Sequence, residues 1–177
     1  VPGNLMDAAR RARMGLIGDW ARAQGIAHVA LGHTRDDQAE TVLMGLARSA
    51  GIAGLSGMRP VWVEECVTFH RPLLDAGREE LRDWLRSQGI DWVDDPTNDD
   101  LRFTRVKARA ALAALAPLGI TPVGLAAVAG HLASAQSALK VQTRAATGRH
   151  VVAAAGALQI GVGLFAEPTE VQRLLVA

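Results

Sequence analysis

Four side chains able to bind cations or transfer protons crowd into one short segment, LGHTRDDQAET, at residues 31–41. They are His33, Asp36, Asp37 and Glu40. Carboxylates at this density repel one another unless a cation joins them or water screens them. The pattern therefore predicts either a cation-dependent site or a solvated helix start, and it leaves both alternatives open.

The elements on either side of this cluster favour the first alternative. The run IAHVALG before it is apolar throughout, which predicts a short buried strand rather than a sheet edge. The segment TRDDQAETVLMGLARSAG after it predicts a helix, with Thr34 as its N-cap and acidic residues in its first turn. In that helix Asp36 and Glu40 share a face. Ligands of parallel sheets bind beyond the carboxyl ends of the strands, where this strand–helix junction lies.

The order helix, strand, helix over the first 50 residues predicts an α/β fold with a parallel sheet covered on both faces. Hydrophobic periodicity predicts the remaining elements: a strand that ends at Pro72, a helix over 77–88, a strand over 90–93, helices over 103–115 and 123–147, and strand-like pieces in the tail. The linker PLGITPVG separates the last helix from the rest. We expect the four tryptophans to belong to the core.

Composition narrows the class of protein. The chain has 177 residues, 49% of them hydrophobic, and a net charge of +1, so it can bury a core. Its only cysteine is Cys66, which favours a cytoplasmic setting. We expect no signal peptide, and the charge-free apolar run 151–166 is shorter than the roughly 20 residues of a membrane helix, so we expect no membrane association.

Basic residues concentrate in the second half of the chain. Residues 98–150 contain seven Lys or Arg against two Asp, a local charge of +5 that suits phosphate contacts or, equally, a solvated helix face. Within this stretch Arg105 and Arg109 share a helical face and are candidates for RNA or nucleotide phosphate. Arg71, held extended before Pro72, is placed for bidentate contact with a phosphate or carboxylate, although an ordinary surface arginine is as compatible with the pattern.

Oxygen-rich ligands with few nitrogens suit Mg²⁺ bound through one or two carboxylates and substrate phosphates. Zinc is less favoured, because the other four histidines show no ligand spacing. The turn DDPTNDD is expected to be structural, since its side chains can hydrogen-bond the local backbone.

Four segments, in this order, resemble the tRNA(Ile)-lysidine synthase family of the ATP-pyrophosphatase (PP-loop) superfamily. They are NLMDAARRARM, LGHTRDDQAETVLMGLARSAGIAGLSGM, RPLLDAGREELRDWL and IDWVDDPTNDDLRFTRVKAR, which together cover most of residues 4–112. The second is the most specific, because GHxxDDQAET followed by GLxGM is rarely found outside this group.

The resemblance implies part of a Rossmann-like parallel-sheet catalytic domain followed by a mainly helical linker region. Residues 1–116 would be the C-terminal part of the PP-loop domain, and residues 117–177 the helical linker and the start of a tRNA-binding domain. It implies an ATP-dependent ligase that joins L-lysine to the wobble cytidine of tRNA(Ile) with a CAU anticodon, giving lysidine through an adenylated cytidine, with Mg²⁺ as cofactor.

Matching motif positions assign roles by resemblance. His33, Asp36, Asp37 and Glu40 match the active-site motif, with Asp37 and Glu40 expected to handle substrate or Mg²⁺. Positions matching nucleotide- or substrate-binding motifs are Arg10, Arg13, Arg48, Arg71, Asp95, Asn98, Arg105 and Arg109.

The chain departs from the family pattern in three places. The phosphate-binding SGGxDS loop is absent, so we expect it upstream of Val1 and expect the chain to be inactive alone. Arg48 is followed by Ser-Ala-Gly where RGSG is usual, and Met14 replaces a usual Tyr.

Two other functions remain open. Another PP-loop ATP-pyrophosphatase, of the tRNA thiolation type, would normally supply catalytic cysteines, and Cys66 lies outside any motif. A non-catalytic module would bind tRNA through the basic stretch at 102–149. The sequence does not determine the oligomeric state, and a homodimer is among the open alternatives.

Overall fold

The computed structural model describes residues 5–94, 102–154 and 156–176, without the side chains of residues 5–7, 10 and 176. The predicted site residues Asp95 and Asn98, and the side chain of Arg10, therefore lie outside the described residues. The helices are α1 (Leu5–Ala23), α2 (Arg35–Leu46), α3 (Ile52–Leu55), α4 (Arg78–Ser87), α5 (Thr104–Leu115), α6 (Pro122–His150) and α7 (Thr169–Val176). The strands are β1 (His28–Ala30), β2 (Val61–Glu64), β3 (Val67–His70), β4 (Val151–Ala154) and β5 (Ala157–Ile160). Short 3₁₀ helices cover Ala116–Leu118 and Val162–Ala166.

The first three strands form a mixed sheet in the order β1-β3-β2. β1 runs parallel to β3, and β2 runs antiparallel to it, so the α/β class is confirmed. The segment predicted as one strand ending at Pro72 is a hairpin. Glu65 and Cys66 form its turn at φ 45° and 68°, the left-handed backbone that a two-residue hairpin favours. The sequence did not predict this turn, because neither Glu nor Cys is a typical residue of a two-residue hairpin turn.

Two strand predictions are wrong for the described residues. There β1 pairs only with β3, so it is an edge strand, and the predicted cover on both faces is missing: Val29 packs against the core while His28 and Ala30 on the other face are exposed. The reason is the alternation of side chains along a strand, which lets an apolar run bury one face only. No strand forms over 90–93, where the Trp92 ring lies near two α4 guanidiniums, 5.7 and 5.1 Å from its centroid.

The core between α1 and the sheet forms because α1 places apolar residues at helical spacing on one face. Ala21, Val67 and Phe69 are buried there, and Trp62 stacks on Phe69 with ring centroids 5.0 Å apart. Trp20 lies off the buried face of α1 and is 58% exposed. The prediction that the tryptophans are core residues is therefore wrong for Trp20, and for Trp84 on α4, which is 57% exposed.

A second core surrounds α2, which packs against α3, α5 and α6. Its buried Ala39 and Val42 lie on the side that these helices cover, where α5 contributes Ala108 and α6 contributes Ala129. Small side chains at these positions let the helices approach closely. The helix that carries the acidic cluster is therefore held on several sides.

The predicted linker forms the corner between α5 and α6. Gly119 at φ 79° ends the first 3₁₀ helix, Thr121 caps α6 by accepting from the Gly124 N–H (3.1 Å), and Pro122 starts α6. The strand-like pieces predicted in the tail are the β4–β5 hairpin. Within the described ranges no single helix is long and apolar enough to cross a membrane; only the pair 104–118 and 122–150, bent by 99°, reaches that length and composition together.

Two features of the structure require a glycine at position 57, in the GLSGM motif. Its φ of +67° disfavours any side chain, and a Cβ there would lie 2.7 Å from the Gln38 amide. That amide accepts from the Met58 N–H (2.6 Å) and donates to the Met58 carbonyl (3.3 Å). Gly57 thus lets α2 hold the chain that leads into β2.

We predict that Gly57→Ala destabilises the protein more than Gly89→Ala. Gly89 has a similar φ of +64° but open space around its Cβ position, so its replacement costs only backbone strain, about 1–2 kcal/mol. Gly57→Ala must also displace Gln38 and break its hydrogen bonds, for a further 1–3 kcal/mol or so. Urea unfolding measures both variants, and equal losses would contradict the role given to Gln38.

Candidate active site

The amino ends of α2 and α4 meet beside the cluster. Asp36 Oδ2 accepts from the backbone N–H of Arg78, the first residue of α4, at 2.7 Å. In return, Arg35 of α2 makes a bidentate pair with Glu80 of α4 at 3.0 and 2.9 Å. The Gly77 N–H and then Arg35 lower the pKa of Glu80. The carboxylates thus satisfy helix N–H groups that have no partner within the helix.

The prediction that Thr34 is the N-cap of α2 is confirmed, and Asp37 completes a capping box with it. Its Oδ2 accepts from the Thr34 N–H (2.8 Å) and hydroxyl (2.9 Å). Burial acts to raise the pKa of Asp37, but the Thr34 hydrogen bonds and the guanidiniums of Arg78 and Arg105 outweigh it, so the pKa is lowered. Asp37 is therefore held as an anion.

Glu40 is the most deeply buried member of the cluster, with a side chain 1% exposed. Its Oε1 accepts from Arg109 Nε at 3.0 Å and lies 3.6 Å from Arg78 Nη2. Its Oε2 is the one buried side-chain oxygen or nitrogen in the described part of the chain with no hydrogen-bond partner. A buried charged acceptor without a donor costs on the order of 1–3 kcal/mol or more, so this oxygen is suited to a donor from outside the protein.

Arginines pair with the carboxylates of the cluster and so offset the repulsion between them. The Arg105 and Arg78 guanidiniums lie 3.4 and 3.5 Å from Asp37 Oδ1, and Arg109 pairs with Glu40. Three guanidiniums against two carboxylates leave this group a net charge of +1. The two predicted phosphate-binding arginines of α5 are thus brought to the acidic cluster itself.

These residues do not fit a Mg²⁺ ion as they stand. Arginines already neutralise Asp37 and Glu40, and a metal bound directly would have to displace them. Across the ranges 5–94, 102–154 and 156–176 no group of three or more His, Cys, Asp or Glu is arranged to hold a metal. The assignment of Mg²⁺ to these two carboxylates stays a prediction, and their pairing speaks against it.

His33 lies at the carboxyl end of β1, beside Arg71 at the end of β3. Parallel pairing of the two strands brings these ends together. Arg71 is 7% exposed and donates from Nε to His33 Nδ1 (3.2 Å) and from Nη1 to the Arg59 carbonyl (2.6 Å). Its guanidinium carbon lies 4.2 Å from the centroid of the Trp62 ring. Arg71 is therefore buried, and the alternative that it is an ordinary surface arginine, which the sequence left open, is wrong.

A cleft of about 720 Å³ opens beside this pair. It is lined by Arg11, Met14, Thr41, Gly57, Met58, Arg59, Trp62, Val63, Glu64 and Arg71. Thr41 follows Glu40 on α2, and its hydroxyl donates to the Asp37 carbonyl at 2.8 Å, which ties the cleft to the acidic cluster. With three arginines and one glutamate, the lining suits an anionic ligand that has a flat apolar part.

Two predicted arginines lie away from the cluster. Arg48 is exposed in the turn after α2. At a rise of about 1.5 Å per residue, it lies roughly 20 Å along the helix axis from the capping box at the other end of α2. Arg13 is exposed on α1, and the arginine of that helix that lines the cleft is Arg11. The roles assigned to these residues, and to the rest of the predicted site, stay predictions.

Sequence reasoning missed Arg78, Arg11 and Arg59. Arg11 had a signal, because it lies three residues before Met14, about one helical turn from a residue of α1 that packs against the core. Arg78 follows a glycine at a helix start, which marks the helix but not its neighbour. Nothing in the local pattern of Arg59 distinguishes it.

We predict that Asp37→Asn destabilises the protein at neutral pH and that the difference shrinks in acid. The folded pKa of Asp37 lies below its ordinary value, so its stabilisation is complete above about pH 4 and is lost as the pH falls through the folded pKa. Urea unfolding between pH 7 and pH 2 measures this. Asp91→Asn, at an exposed aspartate, is the control and should show no such trend; a gap that is constant with pH would contradict the charge pairing.

Known proteins share this site-bearing region. The profile of the PP-loop domain family matches residues 2–116. A tRNA(Ile)-lysidine synthase of Ruegeria pomeroyi is 55% identical over 137 residues, 77% of this chain and 33% of the relative. Relatives of the same name from a Bradyrhizobium species and Methylobacterium nodulans are 44% and 42% identical, over 86% and 80% of this chain and 42% of each relative.

The chain thus spans between a third and about two fifths of the length of these curated relatives. The matched part contains the amino ends of α2 and α4, the acidic cluster and the cleft. We conclude that the chain belongs to the tRNA(Ile)-lysidine synthase family of PP-loop proteins.

Proposed function

We propose that the protein containing this chain joins L-lysine to the wobble cytidine of tRNA(Ile) with a CAU anticodon. The carbonyl oxygen of the base first attacks the α-phosphorus of ATP, which forms the adenylated base and releases pyrophosphate; the lysine amine then attacks the activated carbon, loses a proton, and AMP leaves. The product is lysidine. The relatives' name supports this reaction, and so does one observation: a buried carboxylate, Glu40, with one oxygen lacking a donor among the described residues.

This oxygen suits the amine of the substrate. Lysine enters as an ammonium ion, and a carboxylate that is desolvated but unsatisfied favours a charged donor over water. The amine must lose a proton before it attacks, and Glu40 is the acceptor that we assign to that step.

The arginines of the site are suited to the negative charges of the substrates. ATP, AMP and the tRNA backbone all bring phosphate groups, and the three guanidiniums that pair with Asp37 and Glu40 outnumber those two carboxylates by one. Arg105, 38% exposed and 3.4 Å from Asp37, is the member most open to a phosphate. Arg109, whose Nε binds Glu40, orients that carboxylate.

The cleft suits the nucleotide or the target base. Trp62, whose ring also contacts Phe69 and Arg71, contributes an aromatic wall, and Arg11 and Arg59 offer cationic groups that are not committed to the acidic cluster. A base must leave its stack before an enzyme can modify it, and an aromatic pocket compensates for the lost stacking. Mg²⁺ commonly accompanies ATP chemistry, but Asp37 and Glu40 do not fit it directly.

The domain assignment follows the same proposal. Residues 1–116 would form the later part of a Rossmann-like catalytic PP-loop domain, and residues 117–177 a mainly helical linker that leads into a tRNA-binding domain. We propose a cytoplasmic location, where tRNA and ATP are found. A homodimer stays an open prediction.

We predict that Glu40→Gln in the full-length protein raises the KM for lysine at least tenfold, because an amide cannot attract the ammonium as a carboxylate does. Incorporation of radiolabelled lysine into CAU-anticodon tRNA measures this. The control is Glu79→Gln, at an exposed glutamate of α4 that pairs with Arg82. We expect the Mg²⁺ dependence of Glu40→Gln to match that of the wild type.

Two results would contradict this assignment. An unchanged KM would remove Glu40 from lysine binding, and a higher Mg²⁺ requirement would restore it as a metal ligand. If the wild-type protein binds tRNA but incorporates no lysine, the reaction itself is wrong and a tRNA-binding module is favoured.

We predict that Arg105→Gln weakens tRNA binding by the full-length protein similarly for all tRNA sequences and lowers the slope of log affinity against log salt by about 1. Titrations at several salt concentrations measure the slope. Arg86→Gln, at the far end of α4 where Arg86 pairs with Asp83, is the control. An unchanged slope for Arg105→Gln would leave that arginine a purely structural partner of Asp37.

A further inference from the structure

The backbone of segment 58–60, which borders the cleft, is held by two side chains from other parts of the fold. The Gln38 amide binds both backbone groups of Met58, accepting from the N–H at 2.6 Å and donating to the carbonyl at 3.3 Å. The next carbonyl, that of Arg59, accepts from Arg71 Nη1 at 2.6 Å. The Met58 side chain is buried, so this backbone is fixed while the Arg59 side chain is exposed.

Arg59 and Arg11 line the cleft as cations without a protein partner. Both side chains are exposed, and neither forms a hydrogen bond or ion pair with a residue that the structure describes. Arg11 is placed by α1, because Met14, about one turn later, packs against the core and lines the same cleft. Among the described lining residues the only acid is Glu64, whose Oε2 accepts from Trp62 Nε1 at 3.3 Å. The cleft therefore carries positive charge that the described residues do not neutralise.

A phosphate group is the anion that two such arginines suit best. A guanidinium presents pairs of N–H donors in one plane that match two phosphate oxygens, and it is charged at every physiological pH. A backbone that is fixed before the ligand arrives also reduces the ordering that binding requires. ATP and tRNA both contain phosphate, so the same chemistry recognises two substrates of the proposed reaction.

We propose that Arg11 and Arg59 bind one phosphate group of a substrate in the cleft and that Gln38 is a positioning residue that fixes Arg59 for this contact. The source of the phosphate, ATP or tRNA, rests on the proposed function. Because Gln38 follows Asp37 on α2, the helix that carries the acidic cluster also fixes the wall that carries Arg59.

Binding to the full-length protein tests the two arginines directly. Arg59→Gln and Arg11→Gln remove a charge at exposed positions, and we expect each to weaken binding about tenfold. Fluorescence titrations use ATP in one arm and a CAU-anticodon tRNA(Ile) transcript in the other. A loss for ATP alone assigns a nucleotide phosphate. A loss for tRNA alone, with the slope of log affinity against log salt lower by about 1, assigns an RNA phosphate.

The remaining outcomes are equally decisive. Losses for both probes support a site that either phosphate enters, and unchanged affinity for both overturns the proposal. If the two arginines bind the same phosphate, the double variant should lose less than the product of the two single losses. Losses that multiply would overturn the shared site.

Two further variants separate a specific contact from a general effect of charge. Arg22→Gln is the matched control, because Arg22 lies on the same helix as Arg11 but pairs with Asp19 and Glu65 outside the cleft lining. It should bind both probes like the wild type, and a loss equal to that of Arg59→Gln would overturn the site. Arg59→Lys keeps the charge without the paired donors, so we expect an affinity between those of Arg59→Gln and the wild type.

The positioning part of the proposal requires a variant of Gln38. Gln38→Met removes both hydrogen bonds to Met58, and we expect it to weaken binding of the affected probe several-fold. In the Arg59→Gln background the same substitution should change the affinity little, because its effect passes through Arg59. An equal loss in both backgrounds would overturn the positioning role. If Gln38→Met does not fold, Gln38→Glu, which keeps the acceptor and removes the donor, takes its place.

These measurements separate the cleft site from the proposed reaction. If the wild-type protein incorporates no lysine into tRNA, the proposed function is wrong, while the titrations still decide whether the cleft arginines bind phosphate. If lysine is incorporated and both arginine variants bind ATP and tRNA as tightly as the wild type, only the cleft site is wrong.

Discussion

Two helix amino ends meet at one place in this structure, and the rest of the site is organised around compensating their charge. The first turns of α2 and α4 both present N–H groups without helical partners, and Asp36 and Glu80 cross between them. Arginines of α4 and α5 then surround Asp37 and Glu40. The acidic residues stabilise the helix junction and also hold the arginines in place, so structure and chemistry depend on the same carboxylates.

The burial of α2 makes this arrangement rigid. Helices cover one side of α2, while Gln38 on another face holds the backbone of Met58. The hairpin that follows brings Trp62 under Arg71, which in turn orients His33 at the end of β1. A ligand in the cleft would therefore meet side chains whose positions are set before it arrives, and preorganised donors need little rearrangement during a reaction.

Much of the local structure followed from the sequence. The N-cap at Thr34, the start of α2, the glycine after α1 and the long α6 were all predicted, because periodicity and capping depend on residues a few positions apart. The hairpin turn at Glu65 and Cys66 and the missing strand at 90–93 were not. In both places packing against neighbours, such as Trp92 against α4, overrode local preference.

By itself, the sequence determined that a strand–helix junction carries His33, Asp36, Asp37 and Glu40, and which family motifs they match. Only the tertiary structure decided what those groups meet. Arg105 lies 68 residues from Asp37, and Arg109 lies 69 residues from Glu40. No local pattern encodes such pairs, since a charge selects its partner by distance in space. For the same reason the burial of Arg71, and with it the orientation of His33, emerged only when β1 and β3 paired.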